Sequence, residues 1–300
     1  MAIDPSAEAP NAAWSSQSTP PKGLLLVSTP IGNLADMTER ARATLSVCDV
    51  VLCEDTRRTG HLLSALGIHV KMETLHDHNE DARIPAILER LRLNQMVALV
   101  TDAGTPVVSD PGYRLVRAVI NEGFPVSAIP GANAAVTALV LSGLPPSPFL
   151  FMGFPAPRQA ARRAQLANLR SAERAGLSAT LIWYEAPHRL IEMLGDLRNV
   201  FGNRNAAVAR ELTKRFETVH RGLLDKLLEH FNRELPRGEI TVVLGPAPDD
   251  GHDDLDDQLR TAMTSQSVKD AAAIVSVATG LPRKTVYARA LQIAAETSES

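Results

Sequence analysis

Cysteine is nearly absent. The 300 residues hold two, Cys48 and Cys53, too few for a disulfide framework and without the second ligand pair that a structural zinc site needs. They read as packing residues in a reducing compartment. Long apolar runs are missing too: Val, Leu and Ile stretches are broken by Thr, Ser or Gly within about ten residues, short of the roughly 18 that a membrane span requires. The sequence therefore points to a soluble protein. Its first 22 residues carry four prolines and no apolar signal-peptide core, which reads as a flexible tail on a protein that stays in the cytoplasm. Aromatic residues make up only 4%, leaving little capacity for stacking on bases, so any nucleic-acid recognition would rest on phosphates and shape. Glycine-rich phosphate loops are lacking as well. After the first apolar run only Gly32 stands where a dinucleotide fold needs G-x-G-x-x-G, and G-x-x-x-x-G-K-S/T does not occur, which argues against dehydrogenase and P-loop nucleotidase chemistry.

What is present is a globular composition, 45% hydrophobic and 22% charged, with length for one large domain or two ordinary ones. The net charge of −3 argues at first against an anionic partner, yet six aspartates fall between Asp249 and Asp257, and without them the balance becomes +3. Such a surplus is compatible with nucleic acid, for which distribution matters more than the sum.

Apolar runs at Gly23 to Thr29, Asp49 to Cys53, Met96 to Thr101 and Val126 to Ile129 read as buried parallel strands. Between them, Asp36 to Glu39 resembles a capping box opening a helix to about Val47. Asn79 caps a helix to about Asn94, Tyr113 opens one stopping near Gly123, and Ala132 to Leu141 stops at Gly143. Alternation of this kind calls for an open α/β sheet. Leu144-Pro145-Pro146-Ser147-Pro148 then punctuates the pattern. A second series follows, with strands at Phe149 to Gly153, Ala179 to Tyr184, Ala206 to Arg210 and Glu239 to Leu244. Its helices are expected at Gln159 to Ala175, His188 to Phe201 and Leu223 to Phe231, and Thr218 to Arg221 adds an antiparallel strand. The organisation expected is a tail over 1–22, an α/β domain over 23–144, a second over 145–247, an acidic solvated linker over 248–257 and a small helical module over 258–300.

In open parallel sheets the ligand crevice lies beyond the carboxyl ends of the strands. Here those ends read Thr29-Pro30-Ile31-Gly32-Asn33, Glu54-Asp55-Thr56-Arg57, Thr101-Asp102-Ala103-Gly104-Thr105-Pro106 and Pro130-Gly131-Ala132-Asn133. Small residues, prolines and carboxylates converge without a phosphate cradle, which suits a ligand held by backbone groups, such as an adenosine bearing an amino-acid end.

Ser28-Thr29-Pro30-Ile31-Gly32-Asn33-Leu34, Cys53-Glu54-Asp55-Thr56-Arg57, His76-Asp77-His78-Asn79-Glu80, Asp102-Ala103-Gly104-Thr105-Pro106, Ser109-Asp110-Pro111-Gly112-Tyr113, Tyr184-Glu185-Ala186-Pro187-His188-Arg189, Ala209-Arg210-Glu211-Leu212-Thr213-Lys214 and Gly238-Glu239-Ile240 resemble in order the motifs of the ribosomal RNA small subunit methyltransferase I family. The likeness runs from about Gly23 to Leu244, and so many ordered motifs are specific where one alone would be weak. The resemblance implies a tetrapyrrole-methylase fold, two α/β domains with S-adenosylmethionine in the cleft between them. It further implies 2′-O-methylation of a cytidine ribose in the decoding region of 16S ribosomal RNA, by a homodimer acting on the assembled small subunit. By the same resemblance Pro30, Gly32, Thr101, Asp102, Ala103, Thr105, Asn133, Ala134, Tyr184, Glu185 and Ala186 occupy cofactor-binding positions.

Methyl transfer to a hydroxyl needs alignment and a proton acceptor. Glu54, Glu211 and Lys214 are candidates, each at or just past an expected strand end; the plainer reading pairs Glu54 and Glu211 with Arg57 or Arg210 to hold a loop. His76 and His78 flank Asp77, but no further ligand stands at metal-site spacing and the reaction needs no metal, so a structural or RNA-contacting role is expected. His188 and Arg189 open a helix whose N-terminus favours an RNA phosphate or the cofactor carboxylate. Arg158, Arg162, Arg163, Arg170 and Arg174 form a basic ridge on one helix, suited to tracking a phosphate backbone if it is more than a solvated face, and Arg57 is a further candidate RNA contact. At the C-terminus Ser267 to Asp270 forms a capping box, an Ala-rich helix ends at Thr279, and Pro282 opens another with Arg283, Lys284 and Arg289. This helix-turn-helix reads as an RNA-binding or docking accessory. The rivals are a tetrapyrrole-precursor or diphthamide methyltransferase of the same fold and a non-enzymatic nucleic-acid-binding regulator.

Overall fold

The computed structural model describes residues 22–247, 253–279 and 281–298; the expected tail, apart from Lys22, and the first aspartates of the acidic run lie outside them. Contacts divide the chain into two compact units. One comprises the residues up to Ser171 with Ala179–Gly245, and the other Ala172–Ser178 with Pro246–Ser300.

The first half of the larger unit alternates β1 (Gly23–Val27), α1 (Glu39–Val47), β2 (Val50–Cys53), α2 (Thr56–Ala65), β3 (Met72–Thr74), α3 (Glu80–Arg92), β4 (Met96–Leu99), α4 (Tyr113–Asn121), β5 (Val126–Ile129) and α5 (Ala134–Ser142). Its strands pair in parallel in the order β3-β2-β4-β1-β5. The apolar runs of β2 and β4 are covered on both faces, and Val50, Val51, Leu52, Cys53, Val97 and Ala98 are all 0% exposed, as expected for strands between helical layers. Cys48 and Cys53 are buried free thiols, and burial pushes the Cys48 thiol up to about 11.

Local signals set most helix ends. Thr38 Oγ1 accepts the Ala41 N–H, so the helix cap is Thr38 and not Asp36, which lies in a preceding 3-10 turn. Asn133 caps α5 through the Val136 N–H, and Gly143 ends it in the left-handed conformation. Two elements escaped the sequence pattern. Helix α2 opens on Asp55, which accepts the Arg57 N–H, but carries Gly60 mid-helix; β3 has only three residues, none of them fully buried.

The second half adds β6 (Phe149–Phe151), α6 (Gln159–Arg174), β7 (Thr180–Glu185), α7 (Leu190–Phe201), β8 (Asn205–Arg210), β9 (Thr218–Leu223), α8 (Leu224–Arg233) and β10 (Ile240–Leu244). Its sheet runs β6-β7-β10-β8-β9. Only β6 and β7 are parallel; the other three pairings are antiparallel.

At the C-terminus α9 (Asp253–Met263), α10 (Val268–Thr279) and α11 (Arg283–Ser298) enclose a small core of Leu255, Leu259, Ala272, Val275, Val286, Ala290 and Ile293. The capping box closes as expected: the Asp270 N–H donates to Ser267 Oγ, and the Ser267 hydroxyl donates to Asp270 Oδ2. The expected linker is corrected here, since its second half is the start of α9. Leu255 is buried there, and Asp256 accepts the Arg289 Nε–H at 2.7 Å. No helix among the described residues is long and apolar enough to cross a membrane.

Candidate active site

Strand order places the crevice. The chain leaves β1 for β2 through α1 on one face of the sheet and β4 for β5 through α4 on the other, while β1 and β4 are neighbours; adjacent strands whose connections go to opposite faces leave a gap beyond their carboxyl ends. The two loops are stitched together at its floor. Thr29 and Gly104 exchange backbone hydrogen bonds of 2.8 and 3.1 Å, and Thr29 Oγ1 donates to the Thr101 carbonyl. The second sheet contributes the end of β7 and, because β10 runs antiparallel to it, the beginning of β10: Ile240 pairs with Glu185. Together they bound a cavity of about 420 Å³, within the range of small-molecule sites.

Of the residues expected to bind cofactor, Asp102, Ala103, Thr105, Asn133, Ala134, Tyr184, Glu185 and Ala186 line this cleft, whereas Pro30, Gly32 and Thr101 do not. Thr101 is 3% exposed behind the wall. Thr105 Oγ1 accepts from Asn133 Nδ2 and donates to the Ala132 carbonyl, bracing one loop on the next. Asp102, Asp110, Glu185 and Glu239 face the cavity with Arg58 as the one cation among the described lining residues, while Arg189 and Lys214 pair with Glu185 and Glu239 from outside the lining. Arg58 Nη1 donates to Asp102 Oδ2 at 3.0 Å, and Glu185 Oε1 takes the Ala186 N–H and the Arg189 Nε–H, both at 2.7 Å. The second oxygens, Asp102 Oδ1 and Glu185 Oε2, are buried and meet no donor among the described residues. Unsatisfied buried acceptors are costly; a ligand bearing donors and positive charge relieves both.

The loop from β4 to α4 is strained, with Val107 at φ 74° and Ser109 at φ 66°, a conformation rare for a β-branched residue and typical of functional sites. It holds Asp110 in the cleft. Burial raises the Asp110 carboxyl above the ordinary aspartate range; the Thr101 hydroxyl opposes this, and the charges of Asp102 and Asp77 add to it. Glu54, outside the lining, is raised by burial and then by Asp110, Asp102 and Asp77.

Glu211 and Lys214 do something different. Glu211 Oε1 accepts the Glu239 N–H at 3.0 Å and the Lys214 ammonium at 2.9 Å, and Lys214 also donates to Glu239 Oε2 at 3.0 Å. The backbone donor and the lysine hold the Glu211 carboxyl below its usual range. Burial pulls Lys214 down, but the two glutamates outweigh it and lift its pKa. Neither is a ready proton acceptor. They form a clasp within the second half, against which Gly32 of the first half packs: a Cβ on Gly32 would lie 2.4 Å from Lys214 Cγ, and one on Gly238 would lie 2.3 Å from Glu211 Oε1, so a larger residue at either position would displace the clasp. Glu211→Gln is therefore expected to lower stability to urea by about 1 kcal/mol while the saturated single-turnover rate stays within about threefold. A rate loss of a hundredfold at full binding would return Glu211 to the chemistry.

The basic ridge loses Arg162 to the interior, while Arg158 and Arg174 stay exposed and Arg163 half-exposed. Arg162 is 0% exposed, its Nε donating to Asp196 Oδ2 at 2.7 Å and its Nη2 to Glu192 Oε2 at 3.2 Å, while Arg163 Nε donates to Asp196 Oδ1 at 2.6 Å. Arg158 precedes the helix and is exposed. The anion site expected at His188-Arg189 is already filled, because the carboxylate of Glu185 takes both the Ala186 N–H and Arg189; His188 is exposed. Arg57 pairs with Asp55 at 2.9 Å, not with Glu54, and holds that carboxyl at about 2. Arg210 reaches Thr218 Oγ1 and the Phe216 carbonyl, not Glu211. His76 and His78 stand edge to face, ring centres 6.1 Å apart. Among the described residues no group of three or more His, Cys, Asp or Glu could hold a metal ion.

Sequence reasoning left Arg58, Asp110 and Gly238 to Thr241 without a site role. Asp110 lay in a quoted motif, but before a helix and not at a strand end. The segment at Gly238 precedes its strand, and only antiparallel pairing brings it to the cleft.

A model of the Tetrapyrrole (Corrin/Porphyrin) Methylases matches residues 23–228, and one of the RsmI C-terminal HTH domain matches 249–294. The chain is 45% identical over 282 residues to Ribosomal RNA small subunit methyltransferase I of Micromonospora olivasterospora, covering 92% of this chain and 88% of the relative. It is 42% identical over 274 residues to the protein of that name from Mesorhizobium japonicum, covering 90% and 92%. A crystal structure of diphthine synthase superposes with a TM-score of 0.57 at 16% identity, over 74% of this chain and 90% of that one; this likeness concerns the fold alone.

Proposed function

The chain belongs to the ribosomal RNA small subunit methyltransferase I family within the tetrapyrrole methylases, and from that premise we propose that it methylates small-subunit ribosomal RNA with S-adenosylmethionine as donor. The acceptor is the ribose 2′-hydroxyl of a cytidine in the decoding region of 16S ribosomal RNA. The observation that carries this reading is the 45% identity extending over nine-tenths of both chains, far beyond a shared fold. The cleft fits the donor. Asp102 Oδ1 and Glu185 Oε2 await donors, which the ammonium and hydroxyl groups of S-adenosylmethionine would supply. Asp102, Thr105, Asn133, Ala134 and Tyr184 to Ala186 would hold it.

When bound, S-adenosylmethionine supplies a methyl group activated by the adjacent positive sulfur. The chain supplies position and a proton acceptor, since an in-line displacement demands alignment and a ribose hydroxyl is a weak nucleophile. Asp110 takes that proton: it faces the cavity, and its burial keeps it more basic than a surface aspartate. Arg58 anchors Asp102, and the clasp at Lys214 braces the end of β8 on the start of β10.

A homodimer working in the cytoplasm on small ribosomal subunits belongs to the same reading. Val136 and Val140 on α5 and Phe149 on β6 are 47%, 69% and 42% exposed, an apolar surface suited to a second copy. The C-terminal helices serve as an accessory docking element. To test the reading, purified small subunits from cells lacking this protein are incubated with it, S-adenosylmethionine and chelator, and 2′-O-methylated nucleotides are mapped. One new 2′-O-methylcytidine in 16S ribosomal RNA is expected; unmethylated RNA would refute it.

A further inference from the structure

Aromatic rings are scarce, twelve in the whole chain, and among the described residues five remain substantially exposed: Tyr113, Phe149, Phe154, Phe216 and Tyr287. Of these, Phe154 alone lines the cleft. It is 57% exposed, although burying a phenylalanine is worth about 1.5–3 kcal/mol. Its ring is held from behind, edge to face, by Tyr184 at 5.6 Å, and Tyr184 is braced in turn by Phe151 at 4.8 Å. The backbone is pinned as well, because the Tyr184 N–H donates to the Gly153 carbonyl at 3.0 Å.

The neighbourhood ties this ring to the chemistry. A Cβ on Gly153 would lie 3.2 Å from Ser109 Oγ, so the residue before Phe154 abuts the residue before Asp110. An exposed, rigidly supported aromatic ring therefore belongs to the same rim as the proton acceptor. We propose that Phe154 is the stacking platform for the nucleobase of the target nucleotide, which holds that base while the ribose hydroxyl meets Asp110. The proposal rests on the ribose-methylation reading, in which the target nucleotide must leave its stack and find a π-face. Adenine of the cofactor is the other source of such a ring. A drug-sized ligand loses 70–90% of its surface in its pocket, whereas Phe154 stays more than half open at the rim of the edge strand β6, which suits a base arriving from solvent on a large RNA.

The test compares Phe154→Ala, Phe154→Leu, Phe154→Tyr and Phe154→Trp on purified small subunits, with kcat/KM for methylation, calorimetric affinity for S-adenosylmethionine and the urea midpoint as readouts. Loss of a base–aromatic stack is expected to lower kcat/KM about 10- to 100-fold in the Ala and Leu variants. The Tyr and Trp variants should stay near the wild type, and cofactor affinity and the urea midpoint should not move. A Leu variant as active as the wild type would reduce Phe154 to plain apolar contact and overturn the proposal; so would a matching loss of cofactor affinity, which assigns the ring to adenine. If the wild-type protein leaves subunits unmethylated, the ribose-methylation reading itself falls, before any variant is compared.

Discussion

Asp110→Asn lowers the single-turnover rate of methyl transfer by about 10²- to 10⁴-fold with cofactor and RNA still bound, the loss typical of a missing acid–base group. The amide keeps the size of the carboxylate in a loop whose Val107 and Ser109 adopt positive φ, so the fold should tolerate it, but it cannot accept the hydroxyl proton. The pH profile gives a second readout. The acceptor must be ionised, so the wild-type rate falls as pH drops through the Asp110 pKa. Burial, Asp102 and Asp77 raise that pKa above the ordinary aspartate value, which places the acidic limb at higher pH than a surface carboxylate would. Asp77→Asn, an exposed position, removes one of the raising charges and should move the limb to lower pH. A limb unchanged in Asp110→Asn, or a rate within threefold of wild type, would give proton removal to another group.

Arg162→Ala destabilises the protein by about 3–5 kcal/mol, because it empties the space of a fully buried side chain and leaves Asp196, 1% exposed, with Arg163 as its remaining cation. For a chain of this size that corresponds to a fall of roughly 6 to 20 °C in Tm. The salt dependence of RNA binding should not change, since a guanidinium without solvent contact releases no counterion. Replacing both partners, as in Arg162→Met with Asp196→Leu, should recover much of the loss, for a buried ion pair exchanged for apolar groups is often neutral. A destabilisation under about 1 kcal/mol, or a flatter salt slope at preserved stability, would restore Arg162 to the RNA surface.

These two residues show where sequence reading succeeds and where it stops. Asp110 was visible as part of an ordered motif, but its role was not, because it stands nine residues past Thr101 and a strained loop brings it back to the cavity. Arg162 was visible as a basic residue on a correctly placed helix. Its partners Glu192 and Asp196 lie on α7, and nothing within a helical turn of Arg162 reveals them. Glu211 was singled out and then placed elsewhere by Glu239, 28 residues on. Most of the candidate cofactor positions line the cleft, since they follow parallel strands, whose ends must converge.

The sequence by itself determined the secondary elements with strong periodic signals, the alternation that makes an α/β protein, the Gly143 and Ser267 caps and the ordered motifs that mark the family. All of these are local properties of backbone preference and apolar spacing. Only the tertiary structure decided which charges face the cleft and which neutralise each other inside the walls, that the start of β10 joins the site, and that the aspartate run continues into a packed helix. A charge answers to whatever lies within a few ångströms of it, and for Lys214 and Arg58 such neighbours, Glu239 and Asp102, come from 25 and 44 residues away.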